Sequence, residues 1–365
     1  MLCGKDSEEY TKSEVSWEWP PVDAVPDTET IQMWVAGDIT APLLANSDSL
    51  VSLPRGCGEQ NLARLATNLV ALQLLDPTCI SYETAKMHVA RGLTRQLQYV
   101  HPEGGFSAFG ASDETPSTWL TAAAVRYMRR AHQILSPGVP PPPAISRAES
   151  WLIAQQMENG CFRNIGHVFH TELKGGLTDE GSVASVALTA YVITSLVQST
   201  IVLPFKILKN TIHCLRALPP LKTNNKIYAT ALITNAFVNI RKYEEELKKS
   251  NDAGELNEKK EMEALERDED TWQIIELLKV AKRSDDYVWW ETESVSTSIE
   301  ATGLALWSLA SCPAALRERC AAAGGGRRQV ARGTHTPPGG VHQHAGHSCG
   351  LRSSVQVVIT PTTEH

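Results

Sequence analysis

The sequence predicts a mainly α chain in which helical hairpins follow one another around a closed ring. Three observations predict it. From Asn61 to about Leu309, apolar residues keep falling on helical stripes; Leu62, Leu65, Ala66, Leu69, Val70 and Leu74 form the first of them. Two connections share a theme, Gly104-Gly105-Phe106 and Gly160-Cys161-Phe162. Each follows a Gln-rich helix end (Arg95-Gln96-Leu97-Gln98 and Gln155-Gln156-Met157) and leads into another apolar helix. Gly105 to Gly160 spans about 55 residues, a spacing that suits a repeated helix–turn–helix pair.

In chain order, residues 1–45 read as an N-terminal β segment. Ile31, Met33 and Val35 alternate with Gln32 and Trp34 as in a half-buried strand, and Pro20, Pro21 and Pro26 punctuate the approach. Helices are expected near 59–75, 81–99, 117–134, 146–156, 182–198, 205–217, 226–241, 257–281 and 297–310. Pro116-Ser117-Thr118 is the start signal for the one carrying Trp119. Pro137 to Pro143 reads as a stiff connector. The charge-rich stretch 244–285 reads as a solvated helix or an insertion.

After about Leu316 the periodicity stops. Residues 317–354 form an irregular tail containing Gly324-Gly325-Gly326, Pro337-Pro338-Gly339-Gly340 and His342-Gln343-His344. One reading is a disordered tail whose histidines form a metal tract. The preferred reading is a shifted frame. Codons permitted for Arg327 to Val355, read one base later, yield a helix end, a Gly-Gly turn with an aromatic, and the start of an apolar helix. On that reading the final hairpin is replaced, and the histidine tract is no metal site. Val355, Val357 and Ile359 then alternate like a strand, making 355–365 a short β segment.

Composition excludes several functions. A formal charge of −7 argues against nucleic acid as a partner. No apolar run reaches membrane-spanning length. Met1 to Asp6 lacks the apolar core of a secretory signal, so the chain is expected to be either a piece of a longer secreted precursor or an intracellular product. Eight cysteines without a Cys-x-x-Cys pair form neither a disulfide scaffold nor a zinc pattern, and no cofactor or metal is expected.

The chemistry-bearing string is Gly56-Cys57-Gly58-Glu59-Gln60, at the mouth of the first apolar helix. The two glycines let the backbone turn without Cβ clashes. The turn can bring the Cys57 thiol onto the side-chain carbonyl of Gln60, where exposed helix amides favour negative charge. Attack with loss of ammonia leaves a β-cysteinyl-γ-glutamyl thioester, a stored acylating agent. The bland alternative is a buried structural cysteine. A second segment, His167-Val168-Phe169-His170-Thr171-Glu172, precedes Gly175-Gly176, where a histidine is ordinarily a loop residue with a satisfied hydrogen bond.

The string resembles the thioester motif of the alpha-2-macroglobulin and complement family. The likeness runs from about Val35 to Leu309 through Ser117-Thr118-Trp119-Leu120-Thr121-Ala122, Asn159-Gly160-Cys161-Phe162, Lys174-Gly175-Gly176-Leu177 and Ala187-Leu188-Thr189-Ala190-Tyr191. The resemblance implies an α/α toroid over 46–316, inserted into a CUB-type domain that supplies the flanking β segments. It implies that Cys57 and Gln60 form the cross-link and that His170, with Glu172 to orient it, relays the acyl group to hydroxyls. It implies a Cys161–Cys214 disulfide, for which two free thiols are the alternative. The implied role is covalent capture of a protease or a hydroxyl-bearing surface, as an endopeptidase inhibitor or in innate immunity. That is an extracellular part of a longer precursor with further macroglobulin domains, and not an enzyme in the turnover sense. The activation region and those domains are absent from this sequence, and the tail departs from the family's last hairpin. A cysteine hydrolase using Cys57 and His170, or an inactive binding scaffold with a broken ring, are the competing readings.

Overall fold

The computed structural model describes residues 31–36, 47–170, 174, 181–199, 202–217, 225–249, 277–284, 288–311 and 354–359. The chain divides into two compact units, Met1–Pro42 with Leu351–His365, and Leu43–Gly350. In the first, β1 (Ile31–Ala36) pairs antiparallel with β4 (Ser354–Ile359), Ile31 opposite Ile359 and Ala36 opposite Ser354. The two alternating segments at opposite ends of the sequence therefore belong to one ladder.

The second unit is helical. After the short α1 (Ser47–Leu50) come α2 (Gly58–Leu74), α3 (Ile80–Gln96), α4 (Thr118–Leu135), α5 (Pro143–Ala154), α6 (Ser182–Gln198), α7 (Phe205–Arg216), α8 (Asn225–Lys249) and α9 (Val295–Ser311). Packing sorts them into two layers. Helices α2, α4, α6, α8 and α9 touch in succession, while α3 packs on α2 and α4, α5 on α4, and α7 on α6. The sequence explains the sorting. Helix α6 buries Val186, Leu188, Val192, Ile193, Leu196 and Val197 around most of its circumference, as an inner helix must. Helix α7 buries Leu208, Ile212 and Leu215 but exposes Lys206, Lys209 and His213, as an outer helix should. This is the α/α toroid architecture.

The shared connections are equivalent in atomic detail. Gly104 and Gly160 both have positive φ (109° and 83°), and Val100 bridges Phe106 as Gln156 bridges Phe162. Both phenylalanines are fully buried. Each donates its backbone N–H to a threonine on the next inner helix, Phe106 to Thr121 Oγ1 at 2.8 Å and Phe162 to Thr189 Oγ1 at 3.0 Å. A third copy stands before α9, where buried Trp290 donates its N–H to Thr302 Oγ1 at 3.0 Å. The sequence does not advertise this copy, because a tryptophan replaces phenylalanine and no glycine precedes it in the turn. Thr121→Val keeps shape but leaves the Phe106 N–H buried without that acceptor. It is expected to cost about 1–3 kcal/mol, read as a lower urea midpoint.

Several boundaries differ from expectation. Helix α5 starts at Pro143, which serves as its first residue because the ring fixes a helical φ, so the proline connector ends one residue earlier. Helix α8 continues through Glu244-Glu245-Glu246 to Lys249. The helices expected over 59–75 and 81–99 close at Leu74 and Gln96, the latter followed by a 3-10 turn at Leu97–Tyr99. The helix expected to reach 281 stops at 279. There Lys282–Arg283 (β2) pairs with Val288–Trp289 (β3), setting up the Trp290 turn. The rest of 257–281, and the tail 317–353 with its histidine tract, lie outside the described residues.

Candidate functional site

The site begins in the turn before α2. Cys57 is the N-cap of that helix, with its carbonyl accepting from Asn61 N at 2.9 Å. It is partly exposed and is the one free cysteine among the described residues; Cys79, Cys161 and Cys214 are disulfide-bonded. The turn is pinned from outside. The Gly56 carbonyl accepts from Arg95 Nη2 at 2.9 Å and from the Tyr99 hydroxyl at 2.7 Å, and Arg64 Nη1 donates to the Leu53 carbonyl at 3.0 Å. Asn61, fully buried, ties α2 to α3 through Gly92 O and Gln96 Oε1.

The two glycines serve different ends. Gly56 has φ of 85°, and a Cβ there would land 1.8 Å from Gln60 Oε1. The Gln60 carboxamide therefore folds back over the residue that precedes Cys57. Gly58 needs no unusual φ. Its N–H donates to Ala108 O at 2.8 Å, and a Cβ would stand 2.7 Å from Ser107 O, so the close approach of the 106–110 segment requires glycine.

Glu59 points inward and is 2 % exposed. Its carboxylate collects three contacts from the segment 169–170: Phe169 N to Oε1 at 2.9 Å, His170 N to Oε2 at 3.2 Å, and His170 Nδ1 to Oε2 at 2.9 Å. The exposed Phe169 ring also meets Phe109 edge-on, centroids 5.7 Å apart, which ties this segment to the one that carries Ala108. His170 itself is half exposed.

Gln60 and His170 help line one cavity of 490 Å³ whose walls come from all five inner helices. Its lining is mixed, with Leu232 and Tyr191 beside the polar Asn235 and Glu300 among the contributors. Burial pushes the Glu300 carboxyl up, a shift tempered by the hydrogen bond it accepts from Tyr228 Oη at 2.9 Å.

Of the residues singled out in sequence, Cys57 and Gln60 stand a turn apart at the start of α2, and His170 reaches them through Glu59, the residue between. Glu172 lies outside the described residues. The carboxylate on the imidazole is Glu59, to which the sequence alone assigned no role. A signal for it existed. Glu59, Leu62 and Ala66 share one helical stripe, and a carboxylate on a buried stripe must find donors. Cys161 and Cys214 are joined, with Cα atoms 5.2 Å apart, linking the Gly160 turn to α7.

A ring of paired helices with a free cysteine and a folded-back glutamine opening its first inner helix defines a thioester-domain type of chain. A model of the A-macroglobulin TED domain matches residues 30–321, and the chain belongs to that family. Ovostatin of Gallus gallus is 29 % identical over 243 residues, which cover 65 % of this chain and 16 % of ovostatin, so the chain spans about a sixth of that relative. Among solved structures, native alpha-2-macroglobulin of Escherichia coli from domain MG7 to the C-terminus gives a TM-score of 0.45 at 20 % identity, covering 80 % of this chain and 39 % of that one. Salmonella alpha-2-macroglobulin reacted with methylamine gives 0.42 at 17 % identity, covering 90 % and 20 %.

Proposed function

We propose that this chain is a single-use acylating module that captures a protease or a hydroxyl-bearing surface covalently. The observation that carries the reading is the Gln60 carboxamide folded over Gly56, the residue before the free Cys57. Thioester formation joins Cys57 Sγ to Gln60 Cδ and releases ammonia. In transfer, His170 attacks Cδ, the C–S bond breaks, and the electron pair leaves on Cys57 as thiolate. A hydroxyl then attacks the acyl-imidazole, its proton passes to the thiolate, and the C–N bond breaks to leave an ester. Nothing turns over, because the acyl group is spent.

Family membership supports a part in a larger extracellular inhibitor, with the remaining domains supplying shielding and trigger. Surface tagging by ester formation is favoured over amide formation by the presence of a histidine at position 170.

Intact mass before and after methylamine tests the reading. A mass short by one ammonia, which rises by one methylamine as a Cys57 thiol appears, is the expected result; a full mass with Cys57 free at the outset overturns it. With the thioester present, His170→Ala is expected to lower glycerol ester formation by about 10²–10⁴-fold while methylamine uptake is retained.

A further inference from the structure

The relay needs more than an imidazole near the acyl carbon; it needs an imidazole with a bare nitrogen facing it. A neutral histidine has one N–H and one lone pair, and which nitrogen carries the hydrogen is set by what the other ring nitrogen meets. In solution both tautomers are populated and exchange freely. Here the partner of Nδ1 is Glu59 Oε2 at 2.9 Å, in a side chain that is 1 % exposed. Both oxygens of that carboxylate already accept backbone N–H groups, Phe169 on Oε1 and His170 on Oε2. A carboxylate engaged in this way only accepts, so Nδ1 must bring the hydrogen.

We propose that Glu59 is the positioning residue for the transfer step: it fixes His170 as the Nδ1–H tautomer and leaves Nε2 as the nucleophile. The inference rests on the acyl-relay reading of His170 and adds the element that makes the relay competent. The Nε2 lone pair forms the bond to Gln60 Cδ, and the C–S pair departs on Cys57. The imidazole becomes cationic, and its Nδ1–H stays hydrogen-bonded to the Glu59 carboxylate, which offsets that charge. When the hydroxyl attacks, its proton goes to the thiolate, the Nε2–Cδ bond breaks, and the ring returns to its neutral Nδ1–H form. Glu59 gains and loses no atom.

The geometry has a second consequence. Glu59 and Gln60 are adjacent on α2, and the anchor sits at the helix start, where peptide N–H groups favour a buried carboxylate. The two backbone contacts on that carboxylate also tie residue 170 to the acyl-bearing turn. A glutamine at 59 cannot reproduce this. Whichever way its amide is turned, its NH2 faces a group that was donating, and the charge that offsets the imidazolium is gone.

Two measurements test it on the full chain. In the unaltered protein with the thioester opened, the ¹⁵N spectrum of the His170 ring is expected to show a protonated Nδ1 and a bare Nε2 at pH above the imidazole titration. A protonated Nε2 overturns the proposal whatever the activity. With the thioester intact, Glu59→Gln is expected to lower the ratio of glycerol to methylamine incorporation at least tenfold. An unchanged ratio also overturns it. Should Glu59→Gln fail to form the thioester, the tautomer decides alone. His170→Ala separates the two levels: if it leaves glycerol transfer intact, the relay reading itself falls, whereas loss there beside an unaffected Glu59→Gln removes only the role of Glu59.

Discussion

Gly56→Ala is expected to give a folded protein that never forms the thioester. An L-residue at φ of 85° carries strain of roughly 1–2 kcal/mol, which a domain can survive. The decisive term is the collision. The added Cβ would sit 1.8 Å from Gln60 Oε1 and 2.9 Å from Gln60 Cδ, the atom that must carry the acyl group. Moving the far end of one exposed glutamine is cheap for the fold and ruinous for the chemistry, because the carboxamide leaves the place where the thiol can reach it. Mass analysis should show the full mass with no methylamine uptake, at a urea midpoint only slightly below that of the parent. Gly138 provides the control. It has φ of 80°, and a Cβ added there would meet nothing within 4 Å, so Gly138→Ala carries the strain without the collision and should form the thioester normally. Normal thioester formation in Gly56→Ala would show that the folded-back Gln60 is not the reactive arrangement.

Much of the fold was legible because it is written in helical stripes. Starts and stops of the helices came within a few residues where Ser117 or the 182–198 apolar run marked them. The repeat was legible where glycine was needed for positive φ, at Gly104 and Gly160. It was hidden at Trp290, where the chain reaches the same buried N–H-to-threonine contact from a β-hairpin turn. What repeats is a hydrogen bond from a buried aromatic residue's backbone to the next inner helix, and several turn sequences can deliver it. The candidate site was legible in part for a similar reason. Cys57 and Gln60 are local in sequence, so a turn can join them. The partner of His170 is not local, since Glu59 and His170 are separated by 111 positions. No periodicity relates two residues that meet only when a loop beyond α5 packs back on the start of α2.

Gly160→Ala is expected to be strongly destabilising to the helical unit. Here the added Cβ would stand 1.9 Å from the carbonyl oxygen and 2.6 Å from the carbonyl carbon of Asn210, and neither belongs to a flexible side chain. Helix α7 would have to move. Its position is held on the same spot by Gln156, whose Nε2 donates to Gly160 O, Ile207 O and Thr211 Oγ1, and by the Cys161–Cys214 bond one residue away. Backbone strain of roughly 1–2 kcal/mol and overpacking of about 1–3 kcal/mol set the expected loss at about 2–5 kcal/mol. Removing the disulfide by Cys161→Ala with Cys214→Ala should cost about 2–4 kcal/mol, mostly by freeing the unfolded chain. The two changes act on one junction and should not add. Once Gly160→Ala has pushed α7 away, the disulfide strains against the displaced helix, and its removal should cost less than it does in the parent. Urea midpoints of the single, paired and combined variants measure this coupling. A Gly160→Ala protein as stable as the parent would mean that α7 does not pack its backbone on the turn, and that the disulfide and the Gln156 contacts alone hold the helix there.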